Sequence, residues 1–188
     1  MSNQAILTAT PGQTVGPFYG YALPYEGGDQ LVPPGRSDAI RLHGTVYDGD
    51  GVPVPDALIE IWQADANGDV PQVSGSLQRD GFTFTGFGRA AVNAEGQYSF
   101  STVRPGRTDD GAAAFFAMTV FARGLMNRLF TRVYLPDDEA ALDADTLLRS
   151  VPQERRTTLV ATADSDGYAF DVRLQGAGET VFLAFPGS

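Results

Sequence analysis

The sequence predicts an all-β fold: a β-sandwich of mostly antiparallel strands, with one or two short helices and an N-terminal arm. Three observations carry this expectation. Short runs alternate apolar and polar residues with period two, which places one face of each run in a core. Clusters of Gly, Asp and Asn separate the runs at turn-like intervals. Helical patterning is confined to one stretch late in the chain.

The arm comes first. Residues 1–38 are rich in Gly and Pro and carry Phe18, Tyr19, Tyr21 and Tyr25 without periodicity. Disordered segments are poor in aromatics, so the arm is expected to pack on its own sandwich or on a neighbour. Strand candidates follow at Ile40 to Tyr47, Ala57 to Ala64, Gln97 to Val103, Phe116 to Phe121 and Arg128 to Leu135. In the last of these, Leu129, Thr131, Val133 and Leu135 oppose Phe130, Arg132 and Tyr134. Three more are Thr157 to Ala163, Gly167 to Leu174 and Thr180 to Phe185. Turns are expected at Asp48-Gly49-Asp50-Gly51, Ala66-Asn67-Gly68, Ala94-Glu95-Gly96, Arg104-Pro105-Gly106 and Asp164-Ser165-Asp166-Gly167, where Gly supplies positive φ and Asp or Asn caps locally. Asp137 to Leu148 reads as a short surface helix, and Pro152 to Arg156 as one further turn begun by proline. No internal repeat or second domain is visible, so residues 1–188 are expected to form one domain.

Composition narrows the function classes. The chain has 188 residues, enough to bury a sizeable core, with 43% hydrophobic and 19% charged residues. With no cysteine, disulfides, thiolate metal sites and cysteine nucleophiles are excluded. The formal net charge is −10 and every basic residue is arginine. Nucleic-acid binding is not expected, because phosphate contact needs clustered positive charge. No apolar run spans a membrane. Met1 to Gln13 lacks the basic start and apolar core of a signal peptide, which predicts a cytoplasmic location.

Several short motifs read as structure. Asp65-Ala66-Asn67-Gly68-Asp69 resembles the start of a calcium loop, but Val70 and Ser76 stand where Gly and Glu are needed. Gly86-Phe87-Gly88-Arg89-Ala90-Ala91 loosely matches a dinucleotide fingerprint but does not lead into a helix. His43, the single histidine, lies on a strand and lacks the serine elbow a triad requires, so it reads as structural or solvent-facing. The pairs Asp109-Asp110 and Asp137-Asp138 read as loop and helix-start acids. Arg132 sits mid-strand between Phe130 and Tyr134. An arginine so flanked is either a snorkelling surface residue or an anion clamp, and spacing alone favours the first.

Longer stretches change that balance. Thr10-Pro11-Gly12-Gln13-Thr14-Val15-Gly16-Pro17-Phe18-Tyr19, Gly44-Thr45-Val46-Tyr47-Asp48-Gly49-Asp50-Gly51, Glu60-Ile61-Trp62-Gln63-Ala64 and Gly86-Phe87-Gly88-Arg89 follow one another in order. Tyr98 with Thr102-Val103-Arg104-Pro105-Gly106, Phe121-Ala122-Arg123-Gly124, Tyr168-Ala169-Phe170-Asp171-Val172 and Gly176-Ala177-Gly178-Glu179-Thr180-Val181-Phe182 complete the set. The set resembles the intradiol ring-cleaving dioxygenases, and within them the protocatechuate-cleaving enzymes, over almost the whole chain. Those enzymes are built from two related chains, and this one is similar to the alpha chain. The resemblance implies a ferric ion held by two tyrosines and a His-x-His pair on the beta chain. Here the nearest matches to those ligands are Val70, Thr108, Phe115 and Ala117, and the family's active-site arginine falls within Gly111-Ala112-Ala113-Ala114. Ferric iron wants hard oxygen and imidazole donors. The resemblance therefore implies that this chain binds no iron and that Fe(III) belongs to a partner beta chain.

It also implies a shared pocket. Thr14, Gly16, Pro17 and Arg132 match alpha-chain positions that face the substrate across the subunit interface. The implied activity is insertion of O2 into protocatechuate, giving 3-carboxy-cis,cis-muconate, by a hetero-oligomer of alpha and beta chains. Two other classes are consistent with the pattern of strands: a β-sandwich binding module for carbohydrate or protein, and a hydrolase using a carboxylate pair. The acidic stretch from Asp137 to Asp145 has no assigned role at this level.

Overall fold

A computed structural model describes residues 18–73, 79–109 and 111–185. Within these residues nine strands form two sheets. β1 (Ala39–Tyr47) is central in the first, flanked by antiparallel β4 (Gln97–Val103) and by parallel β8 (Gly167–Ala169) and β9 (Val172–Arg173). β7 (Thr162–Asp164) completes it as an antiparallel hairpin with β8. The second sheet is wholly antiparallel, in the order β3 (Phe87–Ala91), β2 (Leu58–Trp62), β5 (Phe115–Phe121), β6 (Leu129–Tyr134). The all-β, mostly antiparallel expectation therefore holds.

The core forms where the inward rows of the sheets meet. Leu42 and Val46 of β1 pack with Ile59, Ile61, Phe116, Met118, Val120 and Val133 from the second sheet. Each comes from a period-two position, as a half-buried strand requires. A smaller cluster gathers Tyr134, Ala141, Leu148 and Leu159 beneath the helical segment.

Turn chemistry works as the sequence anticipates at Asp48 and Asp65, whereas Arg104-Pro105-Gly106 forms no turn and Gly106 does not adopt a positive φ. Asp48 Oδ1 accepts the amides of Asp50 and Val52 at 2.9 and 2.8 Å, and Gly51 supplies φ of 78°. Asp65 Oδ1 accepts those of Asn67 and Asp69 at 2.8 and 3.0 Å, so the calcium-like motif is an Asx turn.

Several boundaries differ from expectation. Gly167 to Leu174 is not one strand, because it breaks at Phe170. Tyr98 reaches across Gly44 and donates its hydroxyl to the Phe170 carbonyl at 2.5 Å, and a Cβ on Gly44 would collide with that carbonyl. Thr157 to Ala163 begins as a 3₁₀ turn (Thr157–Leu159) that buries Leu159, and β7 starts only at Thr162. Thr180 to Phe185 makes one bridge, Leu183 to Phe130, in place of a strand. The expected helix from Asp137 to Leu148 is divided into α2 (Glu139–Ala144) and α3 (Thr146–Ser150), because Asp145 leaves helical conformation and caps α3. Pro152 precedes α4 (Gln153–Arg156) as anticipated. Two elements carry no clear periodicity and escape the pattern: α1 (Tyr19–Ala22), inside the arm, and β3, which is Gly- and Ala-rich. Among the described residues no helix is long and apolar enough to cross a membrane.

One buried amide ties the sheets together. Gln63 follows β2 and is 5% exposed. Its Nε2 donates to the Val103 carbonyl of β4 at 2.9 Å and to Ala64 at 3.1 Å, and its Oε1 accepts a short bond from the Thr102 hydroxyl. Gln63→Leu would leave the buried Thr102 hydroxyl and Val103 carbonyl without that partner. It should destabilise the chain by about 1–3 kcal/mol, seen as a lower midpoint in urea unfolding with an unchanged slope.

Candidate functional site

Arg132 anchors the candidate site. β6 places it on the outward face of the second sheet, directly opposite Ala117 of β5, which in turn lies opposite Trp62 of β2. Its guanidinium lies 3.9 Å from the centroid of the Phe115 ring. Its Nη1 donates to the Tyr134 hydroxyl at 3.2 Å. Among the described residues no carboxylate is paired with it, in contrast to Arg89 and Arg104, which hold Glu60 at 2.6 Å and Asp137 at 2.6 Å. A half-buried guanidinium on an aromatic face, with its charge uncompensated, is suited to receive an anion. The snorkelling reading is disfavoured by this geometry, since the head group lies on a ring and not in open solvent.

A chain of hydrogen bonds stands behind Arg132. The Tyr134 hydroxyl donates to Asp145 Oδ1 at 3.0 Å. Asp145 is 1% exposed, and its carboxylate also accepts the amides of Leu147, Leu148 and Ala113 at 3.0, 3.0 and 3.1 Å. Burial pushes the Tyr134 phenol up to about 12; the Arg132 guanidinium opposes the rise and the Asp145 carboxylate reinforces it.

The other sequence candidates separate. Thr14, Gly16 and Pro17 lie outside the described residues. Val70 and Thr108 are exposed on two loops that pack back to back: Gly106 donates its amide to the Asp65 carbonyl at 2.7 Å, and a Cβ on Gly68 would strike the Arg107 carbonyl. Phe115 and Ala117 are half-buried on β5 beside Arg132. Valine, threonine, phenylalanine and alanine side chains offer no tyrosinate or imidazole, so the positions implied as iron ligands do not fit ferric iron in this chain. His43 lies on the other sheet, its Nε2 3.2 Å from Asp164 Oδ2. Asp138 caps α2 through the Ala141 amide at 2.9 Å, and Asp137 accepts from Arg104 and from the Tyr168 hydroxyl at 2.8 Å. These carboxylates are occupied in holding the fold. Tyr134 and Asp145 were not anticipated as part of the site. Asp145-Thr146-Leu147-Leu148 reads in hindsight as an N-cap, but nothing in the sequence signals its contact with Tyr134.

A family model described as Dioxygenase matches residues 16–176. The chain is 41% identical to the protocatechuate 3,4-dioxygenase alpha chain of Burkholderia cepacia, over 94% of this chain and 98% of that one. It is 38% identical to the alpha chain of Pseudomonas putida, over 96% and 98%. The chain belongs to the protocatechuate 3,4-dioxygenase family. Within this family the similarity extends to the beta chain of Burkholderia cepacia, at 31% identity over 76% of this chain and 67% of that one. Among solved structures, the dioxygenase domain of a dioxygenase carbohydrate-binding protein fusion from Streptomyces sp. SirexAA-E superposes with a TM-score of 0.59 at 23% identity, over 79% of this chain and 88% of that one. Catechol 1,2-dioxygenase from Acinetobacter sp. ADP1 gives 0.53 at 20% identity, over 84% and 60%. These two show a shared fold.

Two buried tyrosines also set an alkaline limit. Tyr19, buried near Asp56, is likewise pushed up to about 12, by burial first and Asp56 second, with Arg123 opposing. Both folded values exceed the ordinary 10.0. The fold's preference for the neutral phenols is therefore complete below pH 10 and is lost as pH rises toward 12. Circular dichroism should show stability falling across that window, and Tyr134→Phe should make the fall shallower.

Proposed function

We propose that this chain is the alpha subunit of a protocatechuate 3,4-dioxygenase. It pairs with a homologous beta chain, and the assembly cleaves protocatechuate between its two hydroxylated ring carbons. Each of those carbons takes one atom of O2, giving 3-carboxy-cis,cis-muconate. The observation that carries this reading is the combination of end-to-end similarity to alpha chains with side chains at Val70, Thr108, Phe115 and Ala117 that cannot ligate iron. Fe(III) is assigned to the beta chain, where it supplies the activation of the ring towards O2. A cytoplasmic location belongs to the same reading.

This chain's contribution is to shape and charge the pocket. Arg132 offers its guanidinium to the ring carboxylate across the subunit interface. Thr14, Gly16 and Pro17, which match substrate-facing alpha-chain positions, are assigned to the same pocket. The exposed aromatics Phe18, Tyr21 and Trp62 supply apolar surface for burial against the partner.

The isolated chain should bind no stoichiometric iron and show no ring cleavage; metal analysis yielding tightly held iron would sink the reading. Co-expression with the beta chain should give a soluble complex with equal amounts of both. In that complex Arg132→Ala should lower kcat/KM for protocatechuate about 10- to 100-fold, the loss of a charge-assisted contact worth roughly 1.5–3 kcal/mol. Iron content should stay constant, and catechol, lacking the carboxylate, should be affected much less. Equal losses on the two substrates would remove Arg132 from the pocket.

A further inference from the structure

Arg132 is a long, flexible side chain, and four rotatable bonds must be frozen before its charge points anywhere in particular. The structure freezes them from two sides. Phe115 presents its ring face 3.9 Å below the guanidinium. The Tyr134 hydroxyl accepts from Nη1 at 3.2 Å. Tyr134 is itself held: its ring is fully buried and tilted against Phe115 with centroids 5.9 Å apart, and its hydroxyl is tied to Asp145. Asp145 cannot move without uncapping α3 and releasing the amide of Ala113. Ala117, directly opposite Arg132 on β5, carries only a methyl group and leaves room for the guanidinium to fold over towards Phe115.

We infer that Phe115 and Tyr134 are positioning residues that hold the Arg132 guanidinium in one orientation for substrate carboxylate, with Asp145 as the fixed point behind Tyr134. This rests on the role of Arg132 proposed above. It assigns a purpose to Phe115 and Ala117 that the loss of ligand side chains alone does not give. A ring and a short methyl side chain at these two positions on β5 form a seat for the arginine on the neighbouring strand. The acidic segment before α3 gains a role as well, since its last member, Asp145, is buried and engaged.

The assembled enzyme tests this with two variants that break different supports. Tyr134→Phe removes one hydroxyl and keeps the buried ring. Phe115→Leu removes the aromatic face and leaves the hydrogen-bonded chain intact, so a folding defect in one variant does not forfeit the test. Each should raise KM for protocatechuate about 3- to 10-fold, with kcat and the use of catechol changed by less than about two-fold. On an Arg132→Ala background neither should add a further effect, because the group they position is gone. Phe115→Tyr, which keeps the ring, should retain the low KM. Equal losses on protocatechuate and catechol, a full additional loss on the Arg132→Ala background, or no change from either variant would overturn the inference. If Arg132→Ala discriminates between the substrates while Tyr134→Phe and Phe115→Leu do not, the inference alone falls. If Arg132→Ala itself fails to discriminate, the reading of Arg132 falls and takes the inference with it.

Discussion

The side-chain amide of Gln63 is the constraint on which the rest of the arrangement depends. A sandwich has two hydrophobic faces that can slide over one another at little cost, because apolar contact is non-directional. A buried amide that must satisfy its donors and acceptor removes that freedom, since an unmet polar group in the core costs more than a mispacked methyl. Gln63 fixes the end of β2 to Thr102 and Val103 at the end of β4. The Asx turn of Asp65 and the loop through Gly106 leave from those two points, and the Asp65 carbonyl then takes the Gly106 amide. Both loops, and with them Val70 and Thr108, are thereby placed relative to β5 and β6.

That placement leaves the outward face of the second sheet as the surface on which the proposed pocket is built. The inward face is filled by the core. Parts of the outward face are covered by this chain's own segments: Tyr25 stacks near Arg89, whose guanidinium is held by Glu60 and the Leu23 carbonyl, and the helical segment lies over Tyr134. Between these covers runs the row Trp62, Ala117, Arg132. Trp62 remains 46% exposed although it sits on a central strand, tilted against Phe87 at 4.6 Å. A large aromatic and a cation that no carboxylate among the described residues pairs with make a surface that is apolar and charged at once, the combination on which the proposed pocket relies.

Much of this was legible in the sequence, for identifiable reasons. Turns were readable because their chemistry is local: Asp48, Asp65 and Asn93 each cap the amides two and four residues ahead. Strands with strict alternation were readable because one face is buried along their whole length. The misplacements share a cause in long-range contacts. Phe170 breaks its strand because Tyr98, 72 residues away in sequence, takes its carbonyl. Leu159 is drawn into a 3₁₀ turn by burial under the helical segment, which overrides the β preference of its threonine neighbours. Arg132 was ambiguous from spacing because a period-two pattern says which face a residue occupies and nothing of what lies on that face. Its ring partner is on the adjacent strand at a register the sequence does not encode.

The order of groups behind Arg132 also has an electrostatic logic. A carboxylate placed directly against the guanidinium would form a buried ion pair and consume the charge proposed to meet the substrate carboxylate. Here Asp145 is one residue further back, with the Tyr134 phenol between them. The phenol stays neutral, since burial raises it to about 12, so it transmits orientation through hydrogen bonds without neutralising the cation. Asp145 meanwhile is stabilised independently of Arg132, by three backbone amides and the start of α3. Its negative charge is met by dipoles and not by a cation. The arginine is thus held in place by groups that do not compete with an incoming carboxylate, so that fixing its direction and binding its partner fall to different atoms.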